Sequence, residues 1–534
     1  MKDKHRMTRR DFVRNTAIVA ATGAASIGAL GSLGPTQAVA APVPEKWDQK
    51  ADVIVAGSGP TGLPAAIAAV EKGASVIVLE QGKEIGGCGI ISGGILSIGG
   101  GTRIQKLNNV EETIELLFKK LSNYQNASAK RNDPELLRVF CNHNPGILEW
   151  LEQRGVRFMN SMTKAGSGGA MHQKAYHHIW WDKEGPGAAF VKTPEGVTSG
   201  AGLIKPLEAY ARKKGVKILT EHKLNRIIRE NGTQGKVVGV EVQAGKKKLN
   251  FKANKAVILG TGSWKGHKFM RKLFDSRITE NVAFTGDPFV NADGSGIQAA
   301  LEVGAVLMSD RAEDTALYRR KFGTKHYNFP LNSPYGAPGL PIGGGRTADV
   351  IFINKFGKRF VSEEDVASLG TYGFFDAALA QEGHVLWTIF DDVTAKKHKW
   401  TVSTPYTEEG AAYSAATLAE LAKAIKIPGD ALVETVRNYN SYVDKGSDPD
   451  FNKPKKLLRT KIETPPFYGV WISIYVHDTC GGLAINTKAQ VLDIYGKVIP
   501  GLYAGGEAAG GVDFAGMPRG IIFGRIAGEN AAAG

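Results

Sequence analysis

The chain has 534 residues, 43% hydrophobic and 22% charged, with 66 glycines in no fixed period. Those figures exclude a wholly disordered chain, a collagen and a coiled coil, and the length predicts several structural units. The formal net charge is +15, and three cysteines, Cys88, Cys141 and Cys480, are too few for a disulfide framework or a zinc site. No metal site is predicted, and the lack of a C-x-x-C-H motif excludes covalent c-type haem.

Residues 1–40 read as an export signal to be set aside from the fold. Thr8 to Arg14 is a twin-arginine box around Arg9 and Arg10. An Ala/Gly-rich apolar run follows from Thr16 to Leu33, then Ala38-Val39-Ala40 as a small-x-small cleavage site. A membrane anchor is the alternative, but the run reaches spanning length only by counting several Gly and Ser. The twin-arginine route carries proteins already folded, which suits an enzyme that takes up a tight cofactor before export. Without residues 1–40 the chain keeps 61 basic and 50 acidic side chains, a net +11. No second long apolar stretch follows, so a periplasmic or otherwise exported protein with no membrane span in the mature chain is expected. The lysines are dispersed, and the densest run, Lys246 to Lys248, falls between two strand-like segments as a solvated hairpin tip. No nucleic-acid motif accompanies them. A basic field serves an anionic substrate or an acidic redox partner.

The strongest local signal begins at Ala51. Ala51 to Ala56 is a short apolar run rich in β-branched residues, as expected of a buried parallel strand. It enters Gly57-Ser58-Gly59-Pro60-Thr61-Gly62, and an Ala-rich helical pattern runs from Leu63 to Lys72 before Gly73. A second strand, Ser75 to Leu79, ends at Glu80. Strand, G-x-G-x-x-G, helix, strand and acid stand in the order of a dinucleotide-binding βαβ unit. Gly57 allows the tight turn, Gly59 admits a pyrophosphate, and Gly62 lets helix and strand pack closely. Glu80 accepts from the adenosine ribose, and the helix N-terminus, opening at Pro60 and Thr61, faces the phosphates.

No second G-x-G-x-x-G follows another strand, which speaks against a built-in nicotinamide domain. Instead Lys255 to Leu259 is a strand ending in a small-residue turn, Gly260-Thr261-Gly262, preceded by the alternating strand Val237 to Val242. Near the C-terminus stand Gly501 to Gly505, Gly506-Glu507, and Ile521-Ile522 leading to Gly524 and Gly528. Together these four blocks resemble the FAD-binding flavoproteins of the fumarate reductase / succinate dehydrogenase family, which also holds urocanate reductases and 3-ketosteroid dehydrogenases. The resemblance covers essentially the whole mature chain. It implies an α/β fold, a Rossmann-like FAD domain of the glutathione-reductase type interrupted by an α+β capping domain. The boundaries expected are 1–40 for the signal peptide, 46–307 for the first part of the FAD domain, 308–478 for the cap and 479–534 for the returning C-terminal part.

The resemblance also assigns roles. Gly86-Gly87 and Ser92-Gly93-Gly94 look like the loop beside the flavin ring, and Gly506-Glu507 like the segment that closes over the flavin. Membrane members attach the flavin through a histidine in that loop. None occurs between Gly86 and Thr102, so noncovalent FAD is expected. Arg346, eight residues before Asn354, stands where soluble fumarate reductases carry the arginine that gives a proton as flavin N5 gives hydride; the alternative is a structural ion pair at the cap's edge. Val476 to Gly482 is similar to the family's H-x-T-x-G-G entry, whose histidine, here His477, binds a substrate carboxylate; a core or surface histidine is the alternative. Arg519, within Gly516 to Gly520, matches an arginine that clamps the same carboxylate. A helix starting at Gly520 would aim its N-terminus at the flavin pyrimidine.

One departure stands out. Fumarate reductases carry His-Pro-Thr shortly after the equivalent of Val303 to Val306; Ser309 to Thr315 here is acidic and lacks that histidine. Aromatics in the cap, among them Tyr318, Phe322, Tyr327, Phe329 and Tyr335, suit a bulky or ring-bearing substrate or simply fill the cap's core. Two reactions remain open. One is reduction of a C=C bond conjugated to a carboxylate or carbonyl, with electrons from an external cytochrome or quinol-linked carrier. The other is desaturation of a CH–CH bond beside a ketone, with Tyr335, Tyr372 or Tyr475 as base. A non-enzymatic flavin-storage protein is the third reading, and the Arg346 spacing and large cap argue against it.

Overall fold

A computed structural model describes residues 42–122, 132–163, 176–181, 190–193, 196–279, 282–284, 286, 290–308, 313–318, 349–363, 372–398, 400, 407, 410–512 and 516–534. Its centre is an eight-stranded sheet. Strands Gln49–Ala56, Val76–Leu79, Lys217–Leu219, Lys247–Leu259 and Val498–Ala504 pair in parallel, with Gln49–Ala56 between Val76–Leu79 and Lys247–Leu259. Gln490–Leu492 adds an antiparallel edge, and the ribbon His222–Asn231 and Gln234–Ala244 extends Lys247–Leu259. Val53, Ile54 and Val55 are all 0% exposed, which is why this strand reads as an unbroken apolar run: both its faces are covered.

Helix Gly62–Glu71 lies over the sheet, and the C-terminal helix Gly516–Ala533 packs on that helix. The last strand and last helix therefore complete a layer begun more than 400 residues earlier, and one apolar cluster takes residues from Ala51 to Ala532. Each fully buried Val, Ile or Leu in it contributes roughly 1.5–3 kcal/mol. The C-terminal helix begins at Gly516, a turn before the Gly520 start expected from sequence. Pro518 stands in the first helical turn, where its missing N–H costs nothing.

The intervening chain builds a second sheet. Strand Phe467–Thr479 is its axis, pairing antiparallel with Glu313–Tyr318, Leu386–Phe390 and Ala412–Ala415 and parallel with Ala283–Phe284; Ile351–Asn354 pairs with Leu386–Phe390. Alternation sorts its side chains: Val350 and Phe352 join one buried cluster, Ile351 and Ile353 the other, beneath helices Leu418–Ala424 and Gly429–Lys445. A buried ion network ties the chain just after Ile351–Asn354 to the end of helix Gly429–Lys445. Arg359 donates to both Glu363 oxygens at 2.9 Å and to Asp448 at 2.9 Å, and Lys453 stands 3.1 Å from Glu363. This α+β unit interrupts the first α/β domain, as the fold class expected. Strand Phe467–Thr479 runs out of it, and at Thr479 reaches the first domain.

Candidate active site

The strand Gln49–Ala56 ends in the glycine turn, and the three glycines answer to different neighbours. A Cβ on Gly57, at φ +95°, would stand 2.2 Å from the Gly260 carbonyl oxygen. One on Gly62 would stand 1.8 Å from the Gly57 oxygen. At Gly59 the nearest atom is the Gly86 oxygen at 3.6 Å, ordinary contact distance. Two glycines are thus required by the fold itself, whereas Gly59 keeps an open side. Thr61 precedes the helix without capping it by its side chain; Leu63 N–H donates to the Gly59 carbonyl at 3.2 Å and Pro64 has no N–H, which leaves Gly62 N–H to another acceptor. Glu80 is 9% exposed and gathers the surrounding loop: one oxygen accepts from Ser58 N–H at 3.1 Å and Ser58 O–H at 2.6 Å, the other from Gly82 N–H at 2.8 Å. Ser58 Oγ in turn accepts from Gly86 N–H at 3.0 Å.

The other positions expected to hold the cofactor lie among the described residues. Gly86 and Gly87 have φ +107° and +50°, and a Cβ on Gly87 would meet nothing within 4 Å. Ser92 Oγ donates to the Gly89 carbonyl at 2.8 Å, and Gly94 lies against the Ser199 backbone, where a Cβ would approach to 2.4 Å; Gly93 connects the two. Thr261 Oγ1 is buried with no hydrogen-bond partner among the described residues, and Gly262 beside it is open, with φ +73°. Thr61 Oγ1 meets Gly506 and Gly520, where a Cβ would stand at 2.1 and 2.7 Å. Ile521 and Ile522 are 0% and 1% exposed within the large apolar cluster. Open glycines at 59, 87 and 262, an orphaned hydroxyl at Thr261 and an uncapped helix start form a cradle of polar backbone. That donor set fits a dinucleotide pyrophosphate and its flanking groups.

The far side of the site is built by the strand that leaves the second sheet. Asp314 pairs with Asp478 and Thr315 with Val476, so His477 is the extra residue of a β-bulge. Thr479 N–H donates to Glu507 Oε1 at 2.9 Å. Arg519 is 3% exposed; its guanidinium donates to the Val512 carbonyl at 2.5 Å and the Thr479 carbonyl at 3.0 Å, while Nε is buried without a partner among the described residues. The structure therefore gathers Gly57 to Gly62, Glu80, Gly86, Thr261, Gly506, Glu507 and Arg519 through direct contacts, with His477 one residue from Asp478. Arg346 and Tyr335 lie outside the described residues, as do residues 1–40 and 309–312.

Sequence reading missed Lys265. It is 1% exposed, and its ammonium lies 3.5 Å from Glu507 Oε1. Burial opposes its charge, but the Cys88 sulfur, Glu507 and Asp478 outweigh that and hold it well above the usual lysine range. Burial pushes the Cys88 thiol up, against the pull of Lys265. The only local signal was a lysine set between Trp264 and Gly266, immediately after the small-residue turn.

Residues 52–520 match the family model described as FAD binding domain. A fumarate reductase (cytochrome) of Shewanella frigidimarina is 31% identical over 500 residues, covering 90% of this chain and 77% of that protein. The chain belongs to the FAD-binding flavoproteins of the fumarate reductase family. A urocanate reductase of Eggerthella lenta is 30% identical over 510 residues, 92% of this chain and 76% of that one. The structure of an open flavocytochrome c3 fumarate reductase superposes with a TM-score of 0.70 at 25% identity, covering 100% of this chain and 82% of the other. The protein is accordingly an FAD-dependent oxidoreductase of the group acting on CH–CH bonds. Among its described residues no helix is long and apolar enough to cross a membrane.

Proposed function

We propose that this flavoprotein reduces a C=C bond conjugated to a carboxylate or carbonyl. The observation that carries the reading is the similarity, over nine-tenths of the chain, to a protein named as a fumarate reductase. The likeness to a urocanate reductase supports a wider class of unsaturated acids. When bound, FAD supplies a hydride through N5. Its binding is noncovalent, since the loop from Gly86 to Thr102 offers no histidine.

The chain's own residues do the rest. Gly57 to Gly62, Thr261 and Gly262 hold the phosphates, and Glu80 the adenosine end. Gly86, Gly87 and Ser92 to Gly94 border the ring; Gly506, Glu507, Ile521 and Ile522 close over it. Arg346 gives a proton to the carbon beside the one reduced, which for so basic a group requires a relay that re-protonates it. His477 and Arg519 hold the anionic end of the substrate. Two of the Arg519 donors are committed to carbonyls, and its buried Nε–H remains for an anion. Electrons come from an external cytochrome or quinol-linked carrier, in the periplasm or beyond it, after export by the twin-arginine box.

The acidic stretch Ser309 to Thr315, where fumarate reductases carry His-Pro-Thr, favours a second reading: desaturation next to a ketone, with Tyr335, Tyr372 or Tyr475 as base. One experiment separates the two. The purified holoprotein is reduced anaerobically with reduced viologen, then mixed with fumarate, urocanate, cinnamates, cyclic enones and steroids while flavin absorbance is followed. Reoxidation by an enoic acid, abolished in Arg346→Ala, is the expected result. Reoxidation by cyclic enones alone, or bleaching of the oxidised flavin by saturated ketones, would replace it with the second reading.

A further inference from the structure

We propose that Lys265 is the fixed positive charge of the flavin site and sets the reduction potential of the bound cofactor. The inference rests on the cofactor reading above and concerns a residue that the family resemblance did not single out. Lys265 lies in the loop that follows strand Lys247–Leu259 and the open turn at Thr261 and Gly262. Its backbone is clamped on both sides. The Trp264 indole N–H donates to the Gly481 carbonyl at 2.9 Å, its ring stacks on Phe274 at 4.4 Å, and the Lys265 carbonyl accepts from Arg271.

The ammonium reaches inward to three segments, two of them next to stretches assigned to the cofactor and one in the stretch assigned to the substrate. Cys88 follows Gly86 and Gly87, Glu507 follows Gly506, and Asp478 lies in the H-x-T-x-G-G entry. Stability alone does not call for a lysine here, because a well-packed apolar side chain often serves a buried position as well as an ion pair does. A permanent charge in a low-dielectric site acts differently. Its field is weakly screened, and reduction places negative charge on the cofactor, so the cation favours the reduced form while Glu507 and Asp478 oppose it.

The test is potentiometric rather than kinetic. Wild type, Lys265→Met, Lys265→Arg and Glu507→Gln are loaded with FAD, checked for flavin content, and equilibrated with reference dyes. Lys265→Met should keep its flavin and lose at least tenfold in preference for the reduced cofactor. For a two-electron couple that is a potential about 30 mV lower. Lys265→Arg should restore the wild-type value, and Glu507→Gln should move the potential upward. A flavin-loaded Lys265→Met at the wild-type potential overturns the inference. Should that variant not fold, Glu507→Gln decides alone: a rise supports the inference and an unmoved value overturns it. A wild-type protein that takes up no FAD removes the cofactor reading and the inference together, whereas flavin bound at unmoved potentials removes only the inference.

Discussion

At the scale of single residues, the glycine turn separates what the fold needs from what a ligand needs. Gly62→Ala would drive a Cβ into the Gly57 carbonyl, with no flexible side chain available to yield. We expect it to lower the stability of the apoprotein by about 1–3 kcal/mol or more. Gly59→Ala meets only the Gly86 oxygen at 3.6 Å, so apoprotein stability should stay within about 0.5 kcal/mol. FAD affinity should nonetheless fall at least tenfold, about 1.4 kcal/mol, because the added methyl occupies the open side of the turn. Urea unfolding of the apoproteins and fluorescence titration with FAD give the two quantities. Equal losses of stability, or an unchanged affinity in Gly59→Ala, would deny the turn this division. These glycines were legible in the sequence because their spacing and flanking strand are local. Lys265 was not, since Cys88, Asp478 and Glu507 lie far from it along the chain and only the fold brings them to it.

At the scale of elements, the C-terminal helix shows what a motif conceals. Gly520, Gly524 and Gly528 recur every four residues and so share one face. Their Cβ atoms would stand 2.7 Å from Thr61 Oγ1, 2.3 Å from the Thr61 carbonyl and 2.2 Å from the Ala65 carbonyl. The helix thus lies against the start of Gly62–Glu71 at backbone distance, which fixes how the returning chain closes the dinucleotide turn. Gly528→Ala gains helix propensity but must push the two helices apart. A net loss of about 1–3 kcal/mol is expected, against less than about 0.5 kcal/mol for Glu529→Ala on the outer face. Thermal or urea unfolding of the two variants checks this, and equal stabilities would refute the close packing. The sequence carried the glycine run and the helix, yet misplaced its start by a turn, because Gly516 and Pro518 are breakers in a helix interior and not in a first turn. The bulge at His477 was equally hidden: whether a strand residue pairs depends on its partner's register, here that of Asp314 and Thr315.

At the scale of the whole molecule, the titrating groups set a range of pH for the native state. The unfolded chain takes up protons that the folded chain resists. Burial pushes His143 and His384 below their ordinary value of 6.5. Asp349 is buried, which alone would raise its pKa, but Thr460, Lys397 and His398 more than offset this and hold it far below its ordinary 3.8. Glu112, Asp293 and Asp448 are lowered in the same way, each by its own lysine or arginine acting against burial. For every one of these groups the stabilisation is complete above the unfolded value and is lost as pH falls through the folded one. The buried thiols act at the other limb. Burial pushes Cys141 from 9.0 up to about 12, and Cys88 upward as well, so their stabilisation is complete below 9.0 and lost as pH rises beyond it. The urea midpoint should therefore form a plateau between pH 6.5 and 9.0, decline gently on the histidines below it, and fall steeply under pH 4 as the carboxylates protonate. Asp349→Asn should be less stable at pH 7 and show a shallower acid limb, since the carboxylate whose protonation drives part of that fall is gone. A midpoint that rises on acidification from pH 6.5 to 4.5, or an acid limb unchanged in Asp349→Asn, would contradict this assignment of the charges.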